Sequence, residues 1–322
     1  MKRVSHYLFN RISVLIGLCI LLVIPAACSS NSSSTGSANA SADAPTDQNS
    51  DNTVQVGVLV IRDIETSRQQ YEPLVKFLSE KTGRSFILVP LTQESQFLEV
   101  EQGRIDFVIS NPLAAVQIQR LYDTEFVATQ SLPESGAEFG GQIVVRSDSN
   151  ITSLNDLRGR KGACVSLETA AAGCLFQILH LQQKGINPFL SFDSLREIPS
   201  QNDIVQSVLN GTIDFGFIRT GQIESMVNSG LISNVDELRV LEAQQDNFQY
   251  EHTTRLYPTW PIAATASAQP QLVEAVKQAL LEMPPDTPAL EAAGVEKFVP
   301  AADYAAVDQL IEELQLRSWD AR

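Results

Sequence analysis

The sequence predicts an α/β protein of two lobes, each a mainly parallel sheet flanked by helices, and three observations carry that expectation. The stretch Gly103-Arg-Ile-Asp-Phe107 returns 108 positions later as Gly211-Thr-Ile-Asp-Phe215, and Phe97 and Val100 ahead of the first copy fall in register with Val205 and Val208 ahead of the second, as on one helix face. In each copy the glycine stands where a helix needs a left-handed C-terminal cap, and the run behind it is apolar enough for a buried strand. The third observation is size: 322 residues, 43% hydrophobic and 19% charged, suffice for two cores. Gly-x-Ile-Asp-Phe alone is an ordinary helix-to-strand connection. Its recurrence with matching flanks implies two halves on one plan, with a cleft between them.

From the amino terminus, Lys2, Arg3 and Arg11 accompany an apolar run from Ile12 to Ile24, and Pro25-Ala26-Ala27 stand before Cys28. This is the pattern of a secretory leader over residues 1–27, its apolar run shorter than the roughly 20 residues of a comfortable membrane span. Small residues before Cys28 and a polar tract behind it resemble a bacterial lipoprotein processing site, so Cys28 is the expected lipidation point. Pro25 stands where that pattern usually has Leu, which leaves ordinary cleavage after Ala27 open. Residues 28–52 hold no aromatic or large aliphatic side chain and read as a disordered tether reaching a few tens of ångströms.

Val54 to Val60 suits a central strand, followed by a loop with Arg62, Asp63, Thr66 and Ser67. Tyr71, Leu74, Val75 and Leu78, spaced by three and four, mark a helix that Thr82-Gly83 ends, and Ser85 to Pro90 gives a second strand. After the first repeat unit, Glu125 to Thr129 is a further strand, and Ser131-Leu-Pro-Glu-Ser-Gly136 leaves the first lobe. Residues 135–249 form the second lobe: a strand from Gln142 to Arg146, a turn at Ser153–Leu157, a strand from Gly162 to Ser166, and a helix from Thr169 to Lys184 stopped by Gly185. That order imitates residues 54–83, and the second repeat unit and a strand from Leu238 to Leu241 follow. Glu251 to Pro261 reads as the return, so lobe I comprises residues 53–134 and 250–322, closing with amphipathic helices marked by Leu272, Val276 and Leu280 and by Val307, Ile311 and Leu314.

In open α/β sheets ligands sit beyond the carboxyl ends of the strands, which directs attention to the loops Ser110-Asn111-Pro112 and Arg219-Thr220-Gly221 at equivalent repeat positions. The planar fork of Arg219 suits an anion clamp, with a salt bridge on the lobe surface as the alternative. Ser110 and Asn111 cap the helix opening at Pro112, contact the ligand, or do both. Arg62 and Thr66 follow the first strand and should face the cleft, where Arg62 could equally be solvated. Arg255, Tyr257 and Trp260 all suit hinge packing beside Pro258 and Pro261, with Tyr257 the exception assigned to the ligand. His180 and His252 lack metal-ligand spacing, and neither a metal nor a cofactor is expected. The sequence holds no Gly-x-Ser-x-Gly elbow, His-Glu-x-x-His, phosphate-binding Gly-Lys-Ser/Thr loop or dinucleotide fingerprint, so the cleft reads as a binding site. The formal charge is −15 and loss of the leader removes only cations, which excludes nucleic acid as a natural partner. An anionic ligand remains compatible, because a closed cleft follows its local donors.

Ile109-Ser-Asn-Pro112, Leu157-Arg-Gly-Arg-Lys-Gly162, Glu168-Thr-Ala-Ala-Ala-Gly173 and Thr254-Arg-Leu-Tyr-Pro-Thr-Trp-Pro261 together resemble the phosphonate-type periplasmic solute-binding proteins. The last segment is most similar to the related sensor domains of tetrathionate-responsive kinases. The likeness runs from about Val54 to the end and implies a type 2 periplasmic-binding fold, with two hinge crossings that close over a small ligand. One departure matters: phosphonate binders have Ser and Thr at the helix start where this chain has Ala170, Ala171 and Ala172. That disfavours phosphonate itself and leaves Thr169 and backbone N–H groups to hold an anion. With no kinase region after Arg322, message or cargo is expected to pass to another protein.

The principal expectation is therefore an exported, non-enzymatic, monomeric solute-binding protein that delivers a small oxyanion to an ABC permease, the anion being phosphonate-, phosphite- or phosphate-like or a sulfur oxyanion. The alternatives are a receptor signalling to a separate membrane histidine kinase and a cleft hydrolase. Export also places Cys164 and Cys174, the only cysteines of the folded part, in an oxidising compartment. A short strand-loop-helix can bring their Cα atoms within the ~4.4–6.8 Å a disulfide needs, with two inert thiols as the alternative.

Overall fold

A computed structural model describes residues 53–316; the leader, Cys28 and the tether lie outside the described residues, as do 317–322. Strand β1 (Thr53–Leu59) runs into helix α1 (Ile64–Thr82), which Asp63 starts by accepting the Thr66 N–H at 2.8 Å and Gly83 stops at φ 69°. Tyr71, Leu74, Val75 and Leu78 are the buried face of that helix, as their spacing requires. Then follow β2 (Ser85–Leu91), α2 (Ser95–Glu101), β3 (Phe107–Ile109), α3 (Pro112–Tyr122) and β4 (Glu125–Ser131). After the short crossing strand β5 (Glu138–Phe139) come β6 (Gly141–Arg146), β7 (Lys161–Cys164), a π turn over Ala171–Leu175, α4 (Phe176–Gln183), α5 (Pro188–Ser191), β8 (Ser194–Glu197), α6 (Gln201–Leu209), β9 (Phe215–Arg219), α7 (Gln222–Asn228) and β10 (Leu238–Val240). The return strand β11 (Tyr257–Pro258) pairs with β5, and β12 (Pro261–Ala264), α8 (Pro270–Leu281), α9 (Pro288–Ala293), β13 (Lys297–Pro300) and α10 (Ala305–Glu313) complete the described chain.

The strands form two large sheets, in the orders β13-β4-β12-β3-β1-β2 and β10-β6-β9-β7-β8. Without the edge strand β13, the two are one circuit, β2-β1-β3-β12-β4 matching β8-β7-β9-β6-β10. Both are mixed: β1, β2 and β3 are parallel, as are β7, β8 and β9, while β12 and β6, which arrive from the crossings, insert antiparallel to their neighbours. A strand entering from the hinge side must run against those whose carboxyl ends form the cleft.

The repeated sequence has one structural role in both sheets. Gly103 and Gly211 take φ of 64° and 76°, a conformation that costs glycine little. The aspartate behind each grips the start of the neighbouring first strand. Asp106 accepts the Gln55 N–H at 2.7 Å and returns its own N–H to the Gln55 carbonyl at 3.0 Å. Asp214 does the same with Lys161, at 2.8 and 2.7 Å. Phe97, Val100, Val205 and Val208 are all buried, so the register read upstream of the repeat marks the core faces of α2 and α6.

Two further features tie the lobes. Thr253 and Thr254 on the return segment accept the N–H groups of Ile143 and Gly141 at 3.0 and 2.9 Å, closing the crossing against β6. Helix α10 buries Val307, Leu310 and Ile311 in one apolar cluster that also holds Leu113 and Val116 of α3 and Phe176 and Leu181 of α4. Arg120 of α3 forks onto Asp308 and Glu312 of α10 at 2.6 and 2.5 Å. Cys164 and Cys174 form a disulfide, Cα atoms 5.0 Å apart, that ties the end of β7 to the π turn.

Candidate functional site

Beyond the carboxyl ends of β1 and β9, a cavity of about 580 Å³ opens between the lobes. Lobe I supplies Arg62 and Thr66 from the loop and first turn after β1, and lobe II supplies Arg219 and Thr220 from the end of β9. Leu132, Pro133 and Phe139 from the outgoing crossing and Trp260 from the return wall the hinge side. The sequence thus places four of its eight candidate ligand residues on one cavity.

Arg219 is held from three directions. Its backbone N–H donates to the Gln201 side chain at 2.8 Å, and its Nη1 donates to the Thr220 carbonyl at 2.8 Å. Behind it, Gly221 takes φ 73°, and a Cβ there would lie 3.2 Å from the Tyr250 ring and 3.4 Å from Arg219 Nη1. Glycine takes the left-handed turn at little cost and spares the tyrosine the few tenths of an ångström by which a Cβ would push it back. Thr220 is anchored through its Oγ1, which accepts the Gly140 N–H at 3.1 Å and leaves the hydroxyl proton available to another acceptor. Thr66, by contrast, donates its hydroxyl to Asp63 at 2.7 Å.

Burial depresses the pKa of the Arg219 guanidinium, and the positive charge of Arg62 adds to that depression against the opposing pull of Tyr250 and Glu224. Among the described residues, neither Arg62 nor Arg219 has a carboxylate within ion-pair distance. Of the acids nearest this corner, Glu134 lines the same cavity. Glu134 accepts the Tyr250 hydroxyl, whose pKa burial and that carboxylate push up to about 12. Glu224 is raised by burial, toward its neutral form. The result is two cations on one cavity, Arg62 exposed and Arg219 desolvated, an arrangement an anion would relieve.

The other four expected ligand residues do not line this cavity, and each side chain has identifiable work elsewhere. Ser110 is fully buried and donates to Gln96 at 2.7 Å. Asn111 caps α3 by accepting the Ala114 N–H at 3.0 Å, so it shares the repeat position of Arg219 without sharing its wall. Thr169 donates to Ser166 at 3.1 Å. Tyr257 stacks on Phe176 with ring centroids 3.7 Å apart. Trp260, assigned to packing, lines the cavity instead, as does Tyr250, which sits in a stretch without periodicity and offered no local signal. A hollow of similar volume, about 610 Å³, lies at the opposite end of the lobe I sheet, where the Arg104 fork is engaged by both Glu99 oxygens at 2.6 Å.

Two α/β lobes of common topology, joined by two crossings and carrying a cationic cleft at their strand ends, define a solute-binding protein with the type 2 periplasmic-binding fold. The chain belongs to the family of periplasmic substrate-binding proteins of phosphonate ABC transporters, whose model matches residues 56–305. The tetrathionate sensor histidine kinase of Salmonella typhimurium is 28% identical over 238 residues, 72% of this chain; the chain spans 40% of that relative's length. Among solved structures, XAC2383 from Xanthomonas citri bound to ATP superposes with a TM-score of 0.67 at 18% identity, covering 83% of this chain and 98% of that one. PhnD1 from Prochlorococcus marinus in complex with methylphosphonate gives 0.65 at 15% identity, covering 82% and 99%. At these identities the structural likeness is one of fold.

Proposed function

We propose that the cleft captures a small phosphorus- or sulfur-containing oxyanion on Arg219, with Arg62, Thr66 and Thr220 beside it, and that the protein, acting as a monomer, delivers the ligand unchanged to an ABC permease. The observation that carries this reading is the presence on one cavity of two guanidiniums, Arg62 and Arg219, without a carboxylate within ion-pair distance among the described residues. Charge-assisted hydrogen bonds from a planar fork are the strong ones, and they gain strength as lobe closure excludes water. On this reading Ser110, Asn111, Thr169 and Tyr257 support the loops around the site. Calorimetric titration with methylphosphonate, phosphate, sulfate and tetrathionate should show saturable binding of at least one, recovered intact afterwards. Failure of these anions and of their organic derivatives to bind, or conversion of the bound one, would remove the proposal.

The 28% identity to a sensor kinase favours a second reading, in which the closed form is shown to a separate membrane kinase. Deleting the protein should then leave uptake of the ligand unchanged and abolish a transcriptional response to it, whereas delivery to a permease predicts loss of uptake. Either role is served by a tether from a membrane surface, and we assign that anchor to lipidated Cys28. Mass spectrometry of the mature amino terminus is expected to find a diacylglyceryl-modified Cys28, and an unmodified cysteine in membrane-free fractions would reject the anchor.

A further inference from the structure

We infer that the anion taken by the cleft carries an apolar body of about the size of an aromatic ring, as in an arylphosphonate or arylsulfonate, and is not a bare inorganic oxyanion. The inference rests on the anion reading above and adds to it the chemistry of the remaining walls.

Two observations support it. The first is capacity. An oxyanion of five heavy atoms fills only a few waters' worth of space, about 30 Å³ each in the liquid, whereas the cavity, which opens to solvent, measures about 580 Å³ and has room for an organic body beside the anion. The second is the apolar part of the lining. The loops at the strand ends supply Arg62 and Arg219, while the hinge, beside the polar Gln130, Glu134, Ser135 and Thr259, supplies Leu132, Phe139 and Trp260, each only partly buried. Beside Arg62, Ile61 leaves 62% of its surface exposed on the same cavity. Single exposed aliphatics are common and need no explanation. Here several apolar side chains from three separate segments leave surface uncovered in one concavity, next to unpaired guanidiniums. A ligand with a charged head and an apolar body covers both kinds of wall, and covering hydrocarbon surface is favourable in proportion to its area.

The test is a matched-pair titration of the full mature chain: phenylphosphonate against methylphosphonate, and benzenesulfonate against methanesulfonate, with benzyl alcohol as the neutral control. In at least one pair the aryl compound is expected to bind about ten- to a hundredfold tighter than its methyl counterpart, the fold-change that burying one ring face confers. Which pair shows the gap separates phosphorus from sulfur as the head group. Trp260→Ala should shrink that gap to under about threefold, and Ile61→Ser, at a position exposed in the wild type, should narrow it without risk to the fold. Equal binding within both pairs, or a gap that both variants leave intact, overturns the apolar body and leaves the anion reading standing. Benzyl alcohol binding as well as phenylphosphonate, or no binding of any anion, overturns the anion reading and this inference with it.

Discussion

Arg219→Ala is expected to weaken binding of the preferred anion tenfold or more while leaving the fold unchanged. A hydrogen bond to a charged group contributes about 1.5–3 kcal/mol, which converts to roughly ten- to a hundredfold in affinity. The upper part of that range applies where the donor is already desolvated, as burial makes Arg219. Its cost to the empty protein is small. Among the described residues the side chain makes one hydrogen bond, Nη1 to the Thr220 carbonyl, and the backbone contact to Gln201 survives substitution. Because Arg219 is held desolvated close to the like charge of Arg62, the ligand-free variant should melt no lower than the wild type, and a slight rise is the expected direction. Arg219→Lys separates charge from geometry: a point charge without the fork should recover only part of the loss. Calorimetry on both variants, with circular dichroism as the control for folding, reads these outcomes. Wild-type affinity in the alanine variant would place the anion somewhere other than the end of β9.

The same arginine shows which parts of the site could be read from sequence. Its position was legible because the repeat fixes it: a helix, a left-handed glycine, an aspartate that locks to the first strand, then a buried strand whose end faces the cleft. Those are local rules acting identically twice. Asn111 satisfies the same rules and yet caps α3, because the pyrrolidine of Pro112 opens a helix whose first N–H groups need an acceptor. Equivalence in the fold therefore fixed where the residue lies and left open what its side chain contacts. The hinge wall was illegible for a different reason. β5 and β11 have two residues each and exist only because they pair with one another across more than a hundred positions, supported by hydroxyls of Thr253, Thr254 and Thr259. No periodicity survives in so short a strand, so the facing of Tyr257 inward onto Phe176 and of Trp260 toward the cavity could not be ordered from spacing. The π turn at Ala171–Leu175 was hidden likewise, since its alanines suit an ordinary helix start and its shape depends on the disulfide and on Gln177, whose Nε2 shares its two protons among the Ala172, Gln142 and Ile218 carbonyls.

That turn is where the largest stability effect is expected. Replacing Cys164 and Cys174 together by alanine should lower unfolding free energy by about 2–3 kcal/mol, the loop-closure value for a bridge spanning so few residues. The two cysteines are 10 apart, their side chains are fully buried, and the bridge fixes the end of β7 against the segment that opens α4. Alanine keeps both positions apolar, so little desolvation cost accompanies the change, and the loss reports mainly the freedom returned to residues 165–173 in the unfolded chain. Gln177 resists part of the damage, its Nε2 lying within hydrogen-bond reach of the Ala172 carbonyl of the turn and of the Gln142 and Ile218 carbonyls of β6 and β9, and Gly173 packs within reach of Val165, so lobe II is expected to keep its topology. The measurement is the urea midpoint of wild type and double variant, each with and without reductant. The wild type in reductant should fall to the midpoint of the variant, and the variant should ignore reductant. Coincident midpoints for all four samples would mean that the bridge adds nothing to stability and that packing alone holds the turn. A reductant effect that persists in the variant would show instead that the sensitivity arises outside this pair.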